Sequence, residues 1–309
     1  MNDSKKSIAV LIPCRNEETT VADVVKDFSD VLPESIIYVY DNASEDQTTE
    51  KALEAGARVF YEPLLGKGHV VRRMFSDVEA DIYVMADGDG TYEPSEAPFM
   101  IKKLLAENLD MVAGSRINVS EATARRGHTL GNRIFNTLYR FLFGSGFSDI
   151  FTGYRVLSRR LVKSFPVVSV GFEIETELAV HTSQLQLPVS EIPVSYKERP
   201  KGSNSKLRTF PDGFRILRSM IALLKDNRPF FMFGSLAMFS FLVAAVLSIP
   251  ILLTYLDTGL VPRLPTVILS ASLVLFSLLL LALGLILDSI SKSRIEAKRV
   301  AYMQTFPLR

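Results

Sequence analysis

Ile82-Tyr83-Val84-Met85-Ala86-Asp87-Gly88-Asp89-Gly90-Thr91 is the stretch from which the rest of the chain is read. A short apolar run of strand length passes directly into two carboxylates at i and i+2. Glycines flank Asp89, so the backbone can turn sharply there and come close to a ligand. Carboxylates at that spacing repel each other, and the arrangement is costly unless a cation sits beside them. The oxygen-rich setting suits Mg²⁺ or Mn²⁺, hard ions that share their shells with substrate phosphates. An acidic turn capping the next helix would use the same residue types. The pair therefore acquires its meaning from what surrounds it.

Upstream, Ser7–Ile12 reads as a strand, ended by Pro13 and followed by Cys14-Arg15-Asn16-Glu17-Glu18. Val21, Val24, Val25, Phe28 and Val31 then share one helical face. Ser35–Tyr40 is a second strand, and the polar turn Asp41–Asp46 leads into a helix near Thr48–Ala55. Ala57–Tyr61 is a third strand, and Gly66-Lys67-Gly68 opens a helix running through Val78. Strands and helices alternating at this spacing predict an α/β fold with a mostly parallel sheet and ligands at the strands' C-terminal ends. Glu17, Asp41 and Asp87 would then meet at one crevice. Downstream, Met111–Gly114 reads as a strand ended by Ser115-Arg116, and a basic loop with Arg125, Arg126 and His128 follows. A helix over Leu130–Phe143, a turn at Asp149–Arg155, a helix opening at Gly171–Glu177 and a late strand at Leu187–Val194 complete this region. The acids Glu173, Glu175 and Glu177 suit the positive end of that helix dipole.

The C-terminal third differs in kind. Arg228 and Asp257 bracket a stretch without charge, as do Arg263 and Asp288. Each is long enough to cross a hydrocarbon core as a helix, which predicts spans at about Phe230–Leu253 and Leu264–Leu287. Basic residues crowd the outer flanks, so the positive-inside rule places both termini in the cytoplasm. Before the first span, Phe210, Phe214, Leu217, Ile221 and Leu224 form an apolar stripe. It fits a helix lying in the headgroup layer or one packed on the α/β domain. The expected organisation is a domain over 1–207, an interfacial helix over 208–228, two spans within 229–288 and a basic tail over 289–309. Gly234, Ala237, Ser240 and Ala244-Ala245, with the Gly284 region, would allow close helix approach and a homo-oligomer.

Bulk composition removes several classes. With 35 basic and 34 acidic residues the net charge is +1, which points to no nucleic-acid partner. The lone Cys14 cannot form an internal disulfide and reads as a buried filler. His69, His128 and His181 lack zinc-ligand spacing, and Met1–Lys6 does not open a signal peptide.

Taken together, these motifs resemble the family 2 glycosyltransferases of the GT-A fold, and more closely the polyprenyl-phosphate branch typified by dolichol-phosphate mannose synthase. The resemblance covers about Ser7–Lys206. It rests on Ile12 through Glu18, Asp41-Asn42-Ala43-Ser44, Gly66-Lys67-Gly68, Asp87-Gly88-Asp89, Ser115-Arg116, Thr152-Gly153-Tyr154-Arg155 and Arg199 through Ser205-Lys206, in family order. It implies that Pro13, Arg15, Glu17 and Asp41 line the base and ribose of a nucleotide-diphosphate sugar. Lys67, Asp87 and Gly88 would also face that donor, and Asp89, with Asp87 in a weaker role, would hold Mg²⁺ or Mn²⁺ on its diphosphate. Arg116, Arg199, Ser205 and Lys206 would face the phosphate of a polyprenyl acceptor, with Asp89, Arg116 and Arg199 carrying catalysis. Dolichol-phosphate mannose synthases commonly have Gln where this chain has Thr91, which could ligate the ion through its hydroxyl or a water. Arg125, Arg126, His128 and Arg133 compete for a further basic position.

The chemistry also follows from charge. A nucleotide sugar and a lipid phosphate repel, and a divalent ion with two or three Arg or Lys side chains offsets that repulsion. A phosphate monoester is already mostly dianionic at neutral pH, so it attacks without a general base. A processive polysaccharide synthase would carry a Trp-containing acceptor motif, and the chain has no Trp. A nucleotidyltransferase would need a Gly-rich phosphate loop near the N-terminus. A membrane-anchored nucleotide-sugar-binding scaffold would carry a decayed transferase domain, and the intact Asp87/Asp89 pair with Arg199, Ser205 and Lys206 argues against decay.

Overall fold

The computed structural model describes residues 6–117, 136–137, 139–141, 147–171, 173–197, 218, 221–222 and 224–305. They form two compact units, one of Met1–Gly213 with Lys298–Arg309 and one of Phe214–Ala297.

In the first unit, β1 (Ile8–Cys14), α1 (Val21–Val31), β2 (Ile36–Asp41), α2 (Thr48–Glu54), β3 (Arg58–Tyr61), α3 (Lys67–Asp77) and β4 (Ile82–Met85) alternate as expected. They are followed by α4 (Ala97–Ala106), β5 (Met111–Ile117), β6 (Arg155–Ser158), α5 (Arg159–Ser164), α6 (Ile174–Leu185) and β7 (Val189–Ser195). The seven strands form one sheet in the order β3-β2-β1-β4-β6-β5-β7. Only β6 runs antiparallel, pairing with β4 on one side and β5 on the other. Val10, Leu11 and Ile12 are fully buried on both faces of β1, which is why that strand is continuously apolar. Burying each such side chain contributes about 1.5–3 kcal/mol. Val10, Ile12 and Cys14 pack with Val21, Val24, Val25 and Phe28 of α1 and with Met100, Ile101 and Leu104 of α4. α3 packs against β1, α5 and α6, giving helices on both sides of the sheet.

Two details depart from the sequence reading. β5 does not stop at Ser115-Arg116 but continues to Ile117, because β7 pairs with it in register from Met111↔Val189 to Ile117↔Ser195. The turn expected over Asp149–Arg155 delivers Arg155 into β6. Most of the helix expected over Leu130–Phe143 lies outside the described residues, as do Arg125, Arg126, His128 and Arg133.

The second unit contains most of two long helices, α7 (Pro229–Thr258) and α8 (Leu264–Gln304). Both are long and apolar enough to cross a membrane, each with a window of mean hydropathy 2.6. Their small residues face one another within this chain. Ser270, Ser277, Gly284 and Ser291 recur every seven residues along a buried seam of α8, and Ala237, Ser240 and Ala244 are buried on α7. Ser240 Oγ donates to the Leu273 carbonyl at 3.0 Å, and a Cβ added at Gly284 would press on the Phe233 side chain. Of the residues that raised the expectation of an oligomer, Ala237, Ser240, Ala244 and Gly284 are buried inside one copy, whereas Ala245 is exposed and a Cβ at Gly234 would meet open space. Residues 289–304, expected as a basic tail, are helical, and those from Lys298 belong to the first unit. There Tyr302 Oη donates to Asp110 Oδ2 at 2.6 Å and accepts from Arg160 Nη1 at 3.0 Å. Of the stripe over 208–228, positions 221 and 224 are described and helical.

Candidate active site

The sheet order fixes where a ligand can sit. β1 lies between β2 and β4, and the chain passes from β3 at the edge to β4 on the other side of β1. The strand order reverses there, opening a crevice outside the carboxyl ends of the strands. Cys14 and Asp41 are register partners at those ends. The loops beyond are tied together by short polar side chains. Asn42 donates Nδ2 to the Glu62 and Leu64 carbonyls at 3.1 and 2.8 Å, and its Oδ1 accepts from Gly66 N at 2.8 Å. Thr48 Oγ1 accepts from Glu17 N at 2.8 Å, and Ser44 Oγ accepts from Asn16 N at 2.9 Å. Thr20 Oγ1 donates to the Gly88 carbonyl at 2.7 Å, joining the start of α1 to the acidic turn.

At the end of β4 the two carboxylates have different surroundings. Asp89 is 3% exposed, and its Oδ1 accepts from Thr91 N at 3.1 Å and from Thr91 Oγ1 at 2.6 Å. Thr91, read from sequence as a candidate ligand, donates its hydroxyl to the Asp89 carboxylate and so orients it. Asp87 is more open, with 29% of its side chain exposed. Its Oδ1 meets Lys67 Nζ at 2.5 Å, and the same ammonium meets Glu175 Oε1 at 2.5 Å. Burial alone would lower the Lys67 pKa, but the attraction of Asp87 and Glu175 outweighs it and the net shift is upward, so Lys67 stays charged. Burial pushes the Glu175 carboxyl up against the opposing pull of Lys67. A Cβ at Gly153 would collide with the Asp87 carboxylate, and one at Gly88 with Cys14 Sγ, so both glycines permit close approach.

Among the described residues no three His, Cys, Asp or Glu side chains converge to hold a metal. A buried Asp89 carboxylate beside a partly exposed Asp87 is an oxygen-only donor pair of the kind that suits Mg²⁺ or Mn²⁺, hard ions that complete their shells with water and phosphate oxygens. A soft or tetrahedral ion finds no matching donor set there.

On the far side of β4, Arg116 Nε and Nη2 donate to Asp149 Oδ2 and Oδ1 at 2.6 and 2.9 Å, a bidentate pair. The guanidinium also lies 5.4 Å from the centre of the Tyr196 ring. Burial would lower the Arg116 pKa, but Asp149 more than compensates and raises it. Burial would likewise raise Asp149, yet Arg116 holds it below its ordinary value. Fully buried Arg155 donates to the carbonyls of Thr152, Ile150 and Glu175 at 3.1, 3.0 and 2.9 Å. It thereby fixes the turn carrying Gly153 to the backbone of Glu175, a role that its place in a family motif does not reveal.

The remaining expected residues divide clearly. Pro13 and Arg15 are half-buried beside the crevice loops. Glu17 is buried. Asp41 is buried and turned into its own loop, accepting from Ser44 N, Ser44 Oγ and Thr49 Oγ1. Arg199, Ser205 and Lys206 lie outside the described residues. Glu175 and Asp149 are the site residues that sequence reasoning missed.

Residues 9–165 match the family model described as glycosyl transferase family 2. The chain belongs to glycosyl transferase family 2. As a member it is a glycosyltransferase, and its mixed sheet with the acidic turn at the switch point is the GT-A arrangement. It is 33% identical over 301 residues to glycosyltransferase AglJ of Haloferax volcanii, covering 96% of this chain and 98% of that one. It is 28% identical over 221 residues to a dolichyl-phosphate hexose transferase of the same organism, covering 72% of this chain and 95% of that one. Among solved structures, the fold is shared with glucosyl-3-phosphoglycerate synthase from Mycobacterium tuberculosis in complex with Mn²⁺, UDP and glucosyl-3-phosphoglycerate. That match has a TM-score of 0.59 at 24% identity, over 72% of this chain and 80% of the other.

Proposed function

We propose that this glycosyltransferase moves a hexose from a nucleotide-diphosphate sugar to the phosphate of a polyprenyl lipid. The observation that carries the reading is the acidic turn at the crevice. Buried Asp89 is oriented by Thr91, beside a partly open Asp87 that is paired with Lys67. A relative named dolichyl-phosphate hexose transferase that aligns over 72% of the chain supports the choice of acceptor.

In this reading Asp89 and Asp87 would hold a divalent ion, which would neutralise diphosphate charge and make the nucleotide a better leaving group. Lys67 adds a fixed positive charge on the donor side. Arg116, preorganised by Asp149, and Arg199 with Ser205 and Lys206 bind the acceptor phosphate. An oxygen of that phosphate attacks the anomeric carbon as the bond to the diphosphate breaks, inverting the centre in one displacement. No proton has to be removed, so no general base is required.

In this reading α7 and α8 cross the membrane, and the positive-inside rule, applied to the Lys and Arg residues that flank them, favours a cytoplasmic catalytic unit and cytoplasmic termini. The crevice then works at the leaflet surface where a lipid phosphate lies. A homo-oligomer would use the outward faces of α7 and α8, because their small-residue faces meet each other. The test is a donor screen on purified protein with Mg²⁺ or Mn²⁺, reading nucleoside diphosphate release. One donor should respond strongly to added polyprenyl phosphate. Release that ignores the lipid with every donor would refute this acceptor, and binding without turnover would favour a nucleotide-sugar-binding scaffold.

A further inference from the structure

Lys67 is held by two carboxylates of unequal character. Glu175 is 5% exposed in its side chain and Asp87 29%, and each meets Lys67 Nζ at 2.5 Å. The inner partner is nearly buried, whereas the outer one is partly open to the crevice. The backbones on either side are also locked together. Gly66 adopts φ 131°, and Gly68 N donates to the Val170 carbonyl at 2.9 Å. A Cβ at Gly66 or Gly68 would strike the carbonyls of Val170 or Ser169. Glu177 in turn accepts from Ser169 N at 2.8 Å, and Arg155 Nη2 donates to the Glu175 carbonyl at 2.9 Å. The turn carrying Lys67 is thus tied through residues 169–170 to the start of α6 that carries Glu175. Asp87 belongs to a different element and is the partner that can let go.

We propose that Glu175 is a positioning residue of the donor site, retaining Lys67 at the crevice when Asp87 exchanges its half of the ion pair for the donor. This rests on the donor-site reading given above and deepens it. Before the donor arrives, Lys67 balances Asp87 and keeps two neighbouring carboxylates from repelling each other. With a divalent ion and a diphosphate bound, Asp87 would find its charge balanced by the ion rather than by Lys67. The released hydrogen of the Lys67 ammonium turns to a diphosphate oxygen, while Glu175 keeps the nitrogen in place. Without Glu175, Asp87 is the one strong partner left to the buried ammonium among the described residues. Lys67 would then hold Asp87 more firmly and compete with the incoming ion.

The test is equilibrium binding to the full chain in detergent with Mn²⁺, using UDP and GDP and the matching monophosphates. Glu175→Gln should weaken diphosphate binding by about tenfold while leaving monophosphate binding nearly unchanged, because the lost order acts on the outer phosphate. Lys67→Met should show the same selective loss, and Lys67→Met/Glu175→Gln should be no weaker than Lys67→Met alone. That double variant also removes the buried unpaired charge, so it serves if Glu175→Gln does not fold. A purely structural Glu175 would lower both affinities together, or would add its loss to that of Lys67→Met, and either result overturns the inference. Undiminished diphosphate affinity in Glu175→Gln overturns it while the donor-site reading stands. Failure of the wild-type protein to bind either diphosphate overturns both.

Discussion

Replacing Asp149 by Asn keeps the size of the side chain and removes its charge, which isolates what the carboxylate does for Arg116. In the wild type it accepts Nε at 2.6 Å and Nη2 at 2.9 Å, and Oδ1 also accepts from Phe151 N at 3.2 Å. An amide can accept on one side only, so one charge-assisted bond is lost and its NH₂ faces a guanidinium. Both side chains are largely buried, at 19% and 14% exposure, so solvent replaces little of that contact. The loss is about 2–4 kcal/mol, from one charge-assisted bond and the weakened pairing of a buried cation. For a unit of this size that lowers an unfolding midpoint by about 5–15 °C, read at one fixed scan rate in detergent. The pH dependence follows from the depressed pKa of Asp149. Its contribution is fully present above the unfolded carboxyl value of about 3.9 and is lost as pH falls through the lower folded value. The gap between wild type and Asp149→Asn should be level from about pH 7 to pH 5 and close only below about pH 4. Acceptor KM should rise in the variant with donor binding unchanged. Equal midpoints at neutral pH, or a gap that closes above pH 5, would refute the account of this pair.

Asp89→Asn should abolish turnover while the protein still folds, and wild-type activity should vanish in excess chelator and return with Mn²⁺ or Mg²⁺; full activity in chelator would remove the ion from the site. Arg155→Met leaves the carbonyls of Thr152, Ile150 and Glu175 without their donor. It should cost about 3–5 kcal/mol in denaturant unfolding, reduced only by the relief of desolvating a cation. A variant as stable as wild type would show that those bonds are not needed. Arg199→Ala should leave donor binding intact and cut transfer to polyprenyl phosphate by about 2–5 kcal/mol in kcat/KM. Recovery of activity in detergent with a short-chain acceptor would mean that Arg199 only touches headgroups.

The alternation of strands and helices through β4, and the acidic turn that ends it, were legible because they are local patterns of apolar period and glycine placement. β6 was not, since four residues beginning with an arginine carry no strand period, and its pairing depends on β4 and β5, which are distant in sequence. α4 opens with Pro98 in its first turn just after Pro94, and prolines in that density read as loop, although the first turn of a helix tolerates them. Glu175 looked like an acid complementing a helix dipole, because nothing near it in sequence announces Lys67. Thr91 sat where a ligand was expected, and only coordinates could show its hydroxyl turned onto Asp89. The small residues of α7 and α8 were read as contact surfaces, and Ala237, Ser240, Ala244 and Gly284 are indeed buried within this chain. A helix-packing motif does not say whether the neighbour is another copy or the next span.

The central claim is that the sugar ends on a lipid phosphate, and mass spectrometry of the lipid fraction after reaction tests it most directly. Purified protein, the responsive nucleotide sugar, Mn²⁺ and polyprenyl phosphate should yield a polyprenyl-phosphate hexose, with the anomeric centre inverted relative to the donor by NMR. Free hexose as the sole product, with the lipid phosphate unchanged, would contradict the account.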